Sequence, residues 1–253
     1  MAKIYGGRSK YLVKNDVKLF TLAGLVIPLF ALVICILMFR TMLNISNLKG
    51  NPYVILIASI VFILAVKRFI NTTGKDMRKT QKWAYRKSDK YNRGWRGEEV
   101  ILDVLKTLSD NYTIFYDVNL YNKGNIDFVL LGPCGLLALE VKSHSGRITF
   151  ENGRLLRYGH PFKEKDFVIQ VKNEALDLNC YLKEKIQKDI FVKPVIVFSN
   201  KHAFVRFGLN PINNIFVIQK EYLIKLIESL PQVISRQEAD EIEQKFGNII
   251  KHQ

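Results

Sequence analysis

The chain has 253 residues, of which 48% are hydrophobic, and this is enough for one medium-sized domain with a further apolar segment. Its formal net charge of +15 lies entirely in the first 96 residues, which hold 18 Lys and Arg against 3 Asp and Glu, so the overall basicity does not describe the C-terminal part. The three cysteines form no CxxC pair and the four histidines lack metal-ligand spacing, which argues against a disulfide framework and a histidine metal site.

Two apolar runs near the N-terminus predict membrane spans. The first, residues 19–39, has 21 residues without a charge, long enough to cross a hydrocarbon core of about 30 Å as a helix. The second, residues 52–66, has only 15 residues and needs local thinning of the bilayer or snorkelling by Lys67 and Arg68. The alternatives are a cleaved signal peptide for the first run and a buried helix of a soluble protein for the second.

The distribution of basic residues predicts the orientation of this two-helix hairpin, residues 19–66. Lys and Arg are dense in the N-terminal residues 1–18 and after the second run, whereas the connecting loop contains only Arg40 and Lys49. By the positive-inside rule, both flanking regions face the cytoplasm. The sequence therefore predicts a multi-pass protein of the cell membrane with its N-terminus and C-terminal domain in the cytoplasm.

A basic linker, residues 67–93, follows the second run. Trp83, Tyr85 and Tyr91 are interleaved with its Lys and Arg residues. Such a segment can lie on anionic lipid headgroups, and it can also contact nucleic acid. We favour the lipid bilayer as its partner because it adjoins a predicted span.

Residues 94–253 form the predicted C-terminal domain, with an α/β fold in which a mixed sheet is flanked by helices. Predicted helices cover residues 94–109, 167–186, 220–230 and 236–250, the last beginning with the capping box Ser235-x-x-Glu238. Predicted strands cover residues 112–120, 125–131, 136–142, 193–200 and 214–219, and a further hairpin lies in residues 147–158 around the Asn152-Gly153 turn.

Three charged residues stand out in the apolar hairpin of residues 125–142. If its turn spans 132–135, the register places Asp127 directly opposite Glu140, and strand alternation puts Lys142 on the same face as Glu140. Like charges opposed in this way repel each other, and two carboxylates together suit a hard cation such as Mg²⁺ or Mn²⁺. The hairpin therefore predicts a metal-binding corner with a lysine beside it.

Two residues outside the hairpin are candidates for the same corner. Glu98 lies on the apolar stripe of its helix with Ile101 and Leu105, where an acid needs a partner because a lone buried charge is costly. Gln170 lies near the start of the helix over residues 167–186, and the helical periodicity gives its inward direction only weak support.

The ordered set of Glu98 in RGEE, Asp127 in NIDFVLL, Glu140 and Lys142 in ALEVK, and then Gln170 resembles the NERD (nuclease-related domain) family of the PD-(D/E)xK nuclease superfamily. The resemblance covers residues 91–200 and implies a restriction-endonuclease-like fold preceded here by two transmembrane helices. One departure is the absence of an Asn-Pro pair before Gln170.

The resemblance implies magnesium- or manganese-dependent hydrolysis of phosphodiester bonds, with DNA rather than RNA as the expected partner. Asp127, Glu140 and the Val141 carbonyl would hold the metal with help from Glu98, whereas Lys142 would orient or deprotonate the attacking water and Gln170 would steady Lys142 or the phosphate. A basic set could line a nucleic-acid groove, namely Arg147, Arg154, Arg157, Lys163 and Lys165.

Simpler interpretations of these residues remain open. Glu140 and Lys142 can form a plain exposed ion pair, and Glu98 can be a capping acid in the first turn of its helix, where the helix dipole favours negative charge. Gln170 can be a solvated helix residue, and the basic set can be the ordinary solvated face of a hairpin. Cys134 and His144 are interpreted as bystanders. The functional alternatives to an enzyme are a non-catalytic module that binds nucleic acid at the membrane and a membrane scaffold for partner proteins.

Overall fold

The structure is a computed structural model that describes residues 1–6, 92–120 and 124–251, together with isolated positions between 53 and 89. The chain divides into two compact units, one of Met1–Arg8 with Asn92–Gln253 and the other of Ser9–Tyr91. The predicted spans, 19–39 and 52–66, lie outside the described residues apart from isolated helical positions in the second. Within the described part of the chain, none of the helices combines the length and apolarity that crossing a membrane requires.

Among its described residues, the first unit contains ten strands and four α-helices. Strands β1 to β10 are Lys3–Tyr5, Thr113–Asn119, Asn125–Gly132, Gly135–Lys142, Gly146–Glu151, Arg154–Arg157, His160–Pro161, Val192–Phe198, Ala203–Val205 and Phe216–Gln219. Helix α1 covers residues 92–105. Helices α2, α3 and α4 are Phe167–Ile186, Leu223–Ser229 and Arg236–Lys251.

The larger sheet has six strands in the order β1-β2-β3-β4-β8-β10. Strands β2, β3 and β4 are antiparallel neighbours, whereas β1 is parallel to β2, and β4, β8 and β10 are parallel to one another. Strand β4 lies in the middle of the sheet, and its first six residues are all buried. A strand covered on both faces needs a nearly continuous apolar sequence, which explains the run from Leu136 to Leu139.

Helices cover both faces of this sheet. On one face, Phe115, Val129 and Ala138 pack with buried residues of α2 and α4, including Leu178 and Phe246. On the other face, alternate residues of the same strands pack with buried residues of α1 and α3. The expected mixed sheet flanked by helices is therefore present, and it fits a nuclease-like α/β domain.

The smaller sheet has four strands in the order β7-β6-β5-β9. Two-residue turns connect its antiparallel strands, since Glu151 pairs with Arg154 and Arg157 pairs with His160. This sheet follows directly after β4, so its first strand continues the chain from the end that carries Glu140 and Lys142.

The N-terminal residues contribute the edge strand β1, which the sequence interpretation treated only as part of a basic tail. Glu243 of α4 is only 8% exposed and accepts hydrogen bonds from Lys3 at 2.9 Å, Tyr5 at 2.9 Å and Thr113 at 3.0 Å. Although burial acts to raise the pKa of Glu243, these three donors hold it below its ordinary value. The Tyr5 ring also stacks on Phe115 at 5.4 Å, so β1 is held by side chains as well as by the sheet.

Most of the predicted elements are confirmed, with shifts of at most four residues at their ends. The Ser235 hydroxyl accepts from the Glu238 N–H at 3.2 Å, which is one half of the predicted capping box. The last predicted helix but one is shorter than expected, because residues 220–222 form a 3₁₀ turn before α3 begins at Leu223. Strands β1, β7 and β9 were not predicted.

Candidate active site

Asp127, Glu140 and Lys142 lie together in one corner, where β3 begins and β4 ends, between helices α1 and α2. The register of the hairpin is as predicted from Phe128 opposite Leu139 to Gly132 opposite Gly135. The ladder stops before Asp127, whose carboxylate instead accepts the Val141 N–H at 2.7 Å. The side chain of Asp127 therefore continues the connection between the strands, and it lies beside Glu140 rather than in a regular pair with it.

Glu140 is the most deeply buried carboxylate of the corner, with 5% of its surface exposed. Its Oε1 accepts from the Lys142 ammonium and from Gln170 Nε2, the latter at 2.7 Å. Its Oε2 is buried and has no hydrogen-bond partner among the described residues. A buried carboxylate oxygen without a donor is costly, so this atom marks a position where a cation or a donor would be stabilised.

Lys142 lies at the end of β4 and is held from three sides. Its ammonium pairs with Glu140, donates to Gln170 Oε1 at 3.3 Å, and lies 4.2 Å from the centre of the Phe167 ring. The side chain is 12% exposed. The predicted Glu140–Lys142 ion pair is thus present, but it is largely enclosed, unlike the exposed surface pair that was the simpler interpretation.

Asp127 is surrounded by acidic groups. Burial raises the pKa of its carboxyl well above the ordinary value, and the nearby Glu140 and Glu98 carboxylates raise it further. The hydrogen bond from the Val141 N–H and the charge of Lys142 oppose that rise without cancelling it. The pKa of Asp127 is therefore raised mainly by burial, and the excess of negative charge in the corner adds to the rise.

Glu98 lies on α1, near enough to the corner for its charge to act on Asp127. It is half-buried, and its Oε2 accepts a hydrogen bond from the Tyr116 hydroxyl at 3.1 Å. Tyr116 is on β2 and stacks on Phe128 of β3, with ring centres 4.9 Å apart. Glu98 is therefore placed by the sheet beneath it and acts on Asp127 through its charge.

Gln170 also lies in the corner, because the N-terminus of α2 is fixed next to it. The Asp166 carboxylate caps this helix by accepting from the Val168 N–H at 3.0 Å and the Ile169 N–H at 3.3 Å. The Gln170 amide then bridges Glu140 and Lys142. Gln170 is therefore not a solvated helix residue, which was the simpler interpretation of its position.

Glu174 is a site residue that the sequence interpretation missed. Gln170 Nε2 donates to Glu174 Oε1 at 2.8 Å as well as to Glu140. Burial raises the pKa of Glu174 to about 8, and the Glu140 carboxylate adds to the rise. The signal was its position four residues after Gln170, which places both side chains on one face of α2.

The acidic side chains of the corner offer oxygen atoms of the kind that a divalent cation prefers. Among the described residues, no group of three or more His, Cys, Asp and Glu side chains is gathered closely enough to hold a metal ion alone. The unpartnered Glu140 Oε2 and the crowding of Asp127 by Glu140 and Glu98 nevertheless fit a hard cation, because such a cation would relieve both.

The basic residues predicted to line a groove have different environments. Arg154 Nε pairs with Asp166 Oδ2 at 3.2 Å, so this arginine is engaged with the cap of α2. The side chains of Arg147, Lys163 and Lys165 are exposed. Arg157 is half-buried, and it donates at 3.3 Å to the Oγ of Ser145, which lies in the short connection between β4 and β5.

Comparison with known proteins gives one family match. Residues 93–199 match the family described as NERD, nuclease-related domain. This range contains Glu98, Asp127, Glu140, Lys142 and Gln170, and it is less than half of the 253-residue chain. No curated protein and no solved structure was found to match the chain. The match supports a nuclease-related function for this part of the molecule.

Proposed function

We propose that the protein is a membrane-anchored, metal-dependent nuclease whose C-terminal domain faces the cytoplasm and hydrolyses phosphodiester bonds of nucleic acid. The observation that carries the proposal is the corner in which Asp127 and Glu140 crowd each other beside an enclosed Lys142. The family match over residues 93–199 supports the same class of function.

Asp127 and Glu140 would hold Mg²⁺ or Mn²⁺, with the Val141 carbonyl and Glu98 completing the protein's share of the ligands. When bound, such an ion lowers the pKa of a coordinated water and neutralises charge on the phosphate. Glu140 Oε2, which has no hydrogen-bond partner among the described residues, is the atom best placed to turn toward it.

Lys142 would supply positive charge where the phosphate becomes more negative during the reaction. In the structure its ammonium is fixed by Glu140 and by Gln170, and the Phe167 ring shields it from water. Gln170 keeps both Glu140 and Lys142 oriented through one amide group. These contacts hold the lysine in position before any substrate arrives.

A second candidate function is a non-catalytic module of the same fold that binds nucleic acid at the membrane. The specific observation that favours it is the ion pair between Lys142 and Glu140, which engages the lysine and one of the two carboxylate oxygens of a proposed metal ligand. Residues 97–253 carry as many acidic as basic side chains, so the domain would attract nucleic acid mainly through local groups.

The membrane part of the proposal is supported by the sequence. Residues 19–39 form an uncharged apolar run, and basic residues flank the region 19–66 on both sides. The bilayer is thus proposed as a partner of the N-terminal region, and the basic linker of residues 67–93 is proposed to lie on its surface.

The decisive experiment measures cleavage and binding by the full chain in detergent, with Mg²⁺ or Mn²⁺ and with DNA and RNA oligonucleotides. We expect cleavage by the wild type and a loss of about 100-fold or more for Lys142→Ala, with binding little changed. Lys142→Arg should also fail, because a planar guanidinium does not replace a compact ammonium. Lys193→Ala is the matched control, since Lys193 lies in the same sheet and its ammonium donates to the Cys134 carbonyl at 2.8 Å, at the opposite end of β4 from Lys142.

Two results would contradict the enzyme. If Lys142→Ala cleaves as fast as the wild type, the proposed role of this lysine is wrong. If the wild type binds nucleic acid but cleaves none of the substrates with either metal, the non-catalytic module is the better description.

A further inference from the structure

Two hairpin turns of the smaller sheet have the same backbone geometry and different sequences. The turn between β5 and β6 has positive φ at Asn152 (49°) and Gly153 (79°), and the turn between β6 and β7 has positive φ at Tyr158 (52°) and Gly159 (78°). Asn-Gly is the preferred pair for such a two-residue turn. A bulky aromatic residue is disfavoured at positive φ, so turn formation alone does not explain Tyr158.

The ring of Tyr158 is held in a fixed place but is not buried. It lies against the backbone of Gly146, where an added Cβ would come within 2.4 Å of the ring carbon Cζ. Tyr158 nevertheless keeps 64% of its surface exposed. The result is an aromatic ring that rests on the Gly146 backbone and presents much of its surface to solvent.

Arg157 stands beside this ring, and none of the acidic residues that the structure describes forms an ion pair with it. Its guanidinium carbon is 5.7 Å from the centre of the Tyr158 ring, and its Nη2 donates to Ser145 Oγ at 3.3 Å. Its Nε is buried and lacks a hydrogen-bond partner among the described residues, and it forms no ion pair with any of them. A half-buried arginine in this state is suited to receive an anion such as a phosphate oxygen.

The ring and the guanidinium are close to the candidate active site along the chain. Arg157 contacts Ser145 and Tyr158 contacts Gly146, and these are three and four residues after Lys142. Four residues span at most about 14 Å of backbone. A strand bound at Lys142 would therefore reach Arg157 and Tyr158 within a short stretch of nucleotides.

We propose that Tyr158 and Arg157 form a subsite for an unpaired nucleotide next to the reacting phosphate, with the base stacked on the Tyr158 ring and a neighbouring phosphate on Arg157. This inference rests on the proposed function and narrows its substrate to single-stranded nucleic acid or to strands with unpaired bases. In a duplex the base faces are already stacked on each other, so they are not available to the ring. Aromatic platforms of this kind bind single strands with little sequence preference.

The test measures binding by the full chain in detergent and chelator, so that no strand is cleaved. The probes are a single-stranded oligonucleotide that contains 2-aminopurine and the corresponding blunt duplex. We expect Tyr158→Asn and Tyr158→Leu to weaken single-strand binding roughly tenfold with little effect on the duplex. Tyr158→Phe should bind like the wild type. Binding should quench 2-aminopurine fluorescence only for the wild type and Tyr158→Phe, which have an aromatic ring at position 158.

The choice of variants distinguishes an effect on binding at the subsite from an effect on the folding of the hairpins. Tyr158→Asn creates the same Asn-Gly turn that the neighbouring hairpin already uses, so the hairpin should still form. Asn152→Ala perturbs the other turn and should lower stability without changing affinity. Arg157→Ala should reduce the slope of log affinity against log salt concentration by about one, because one phosphate contact is lost.

The outcomes are distinguishable. If the wild type binds or cleaves nucleic acid and Tyr158→Asn binds the single strand equally well, the subsite is overturned and the proposed function stands. If Tyr158→Asn weakens duplex and single-strand binding alike, the preference for unpaired nucleotides is overturned. If the wild type neither binds nor cleaves any nucleic acid, the proposed function fails, and the subsite fails with it.

Discussion

The carboxamide of Gln170 makes three hydrogen bonds inside the candidate site, and together they fix which way it faces. Its nitrogen donates to Glu140 and Glu174, so its oxygen must face Lys142. If Glu174 were absent, the amide would lose one of its two acceptors, and the orientation that serves Lys142 would be less favoured. Glu174 is therefore a positioning residue that acts through Gln170.

Glu174 also predicts how stability depends on pH. Because the pKa of its carboxyl is about 8 in the folded protein and ordinarily 4.5, the folded form holds a proton that the unfolded form has released. Stability must then fall as the pH rises through this interval, by at most about 1.4 kcal/mol per pH unit. We expect the metal-free full chain to be less stable in urea at pH 8.5 than at pH 6.5.

Glu174→Gln tests this assignment, because an amide keeps an acceptor for Gln170 without a titrating proton. The variant should show a flatter dependence of unfolding free energy on pH in the same range. A residual slope is expected from Asp127, whose pKa is also raised. Identical slopes for wild type and Glu174→Gln would show that Glu174 ionises normally.

Some site residues can be located from the alternation of side chains along a strand, whereas others come together only through packing between elements that are distant in the sequence. Asp127, Glu140 and Lys142 were predicted because strand alternation and a short turn determine the register of one hairpin. Glu174 was missed because its proximity to Glu140 depends on how α2 packs on the sheet. The engagement of Arg154 with Asp166 likewise depends on contact between β6 and the start of α2.

Among the elements, the long strands and helices were predictable and the short strands were not. Strands β3, β4 and β8 have short, nearly continuous apolar sequences, which are typical of strands buried on both faces of a sheet. Strand β1 has only three residues, and two of them are exposed, so it carries no periodic signal. It exists because β2 offers an open edge and because Glu243 needs donors, and both are more than 100 residues away in the chain.

The role of β1 predicts a large effect of removing the first six residues. Deletion would leave the buried Glu243 carboxylate with Thr113 as the remaining one of its three donors. We expect a loss of about 2–4 kcal/mol in the unfolding free energy of the full chain, measured in urea. The deletion would also expose the edge of β2, which favours aggregation.

The matched control is the same deletion combined with Glu243→Gln. A neutral amide needs its donors less than a buried carboxylate does, so the combined variant should lose clearly less than the deletion alone. If the deletion leaves the urea midpoint unchanged, β1 contributes nothing to the stability of the sheet.

At the scale of the whole molecule, the charge asymmetry predicts that both ends of the chain lie in the cytoplasm. A cysteine introduced near Asn47 should react with a membrane-impermeant maleimide in intact cells, and one near Gln253 should react only after permeabilisation. Exposed Cys180 supplies an internal control, because it should react only in permeabilised cells, whereas Cys134 is buried. Reaction of Cys180 in intact cells would reverse the orientation.

The pairing of β1 with β2 limits how the intervening chain can run. Residues 3–5 and 113–115 are hydrogen-bonded neighbours in one sheet, so they lie on the same side of any bilayer. A path that leaves one side and returns to it must cross an even number of times. If residues 19–39 cross the membrane, one further crossing is therefore obligatory before residue 92. We propose that the 15-residue run, although short for a span, makes this second crossing.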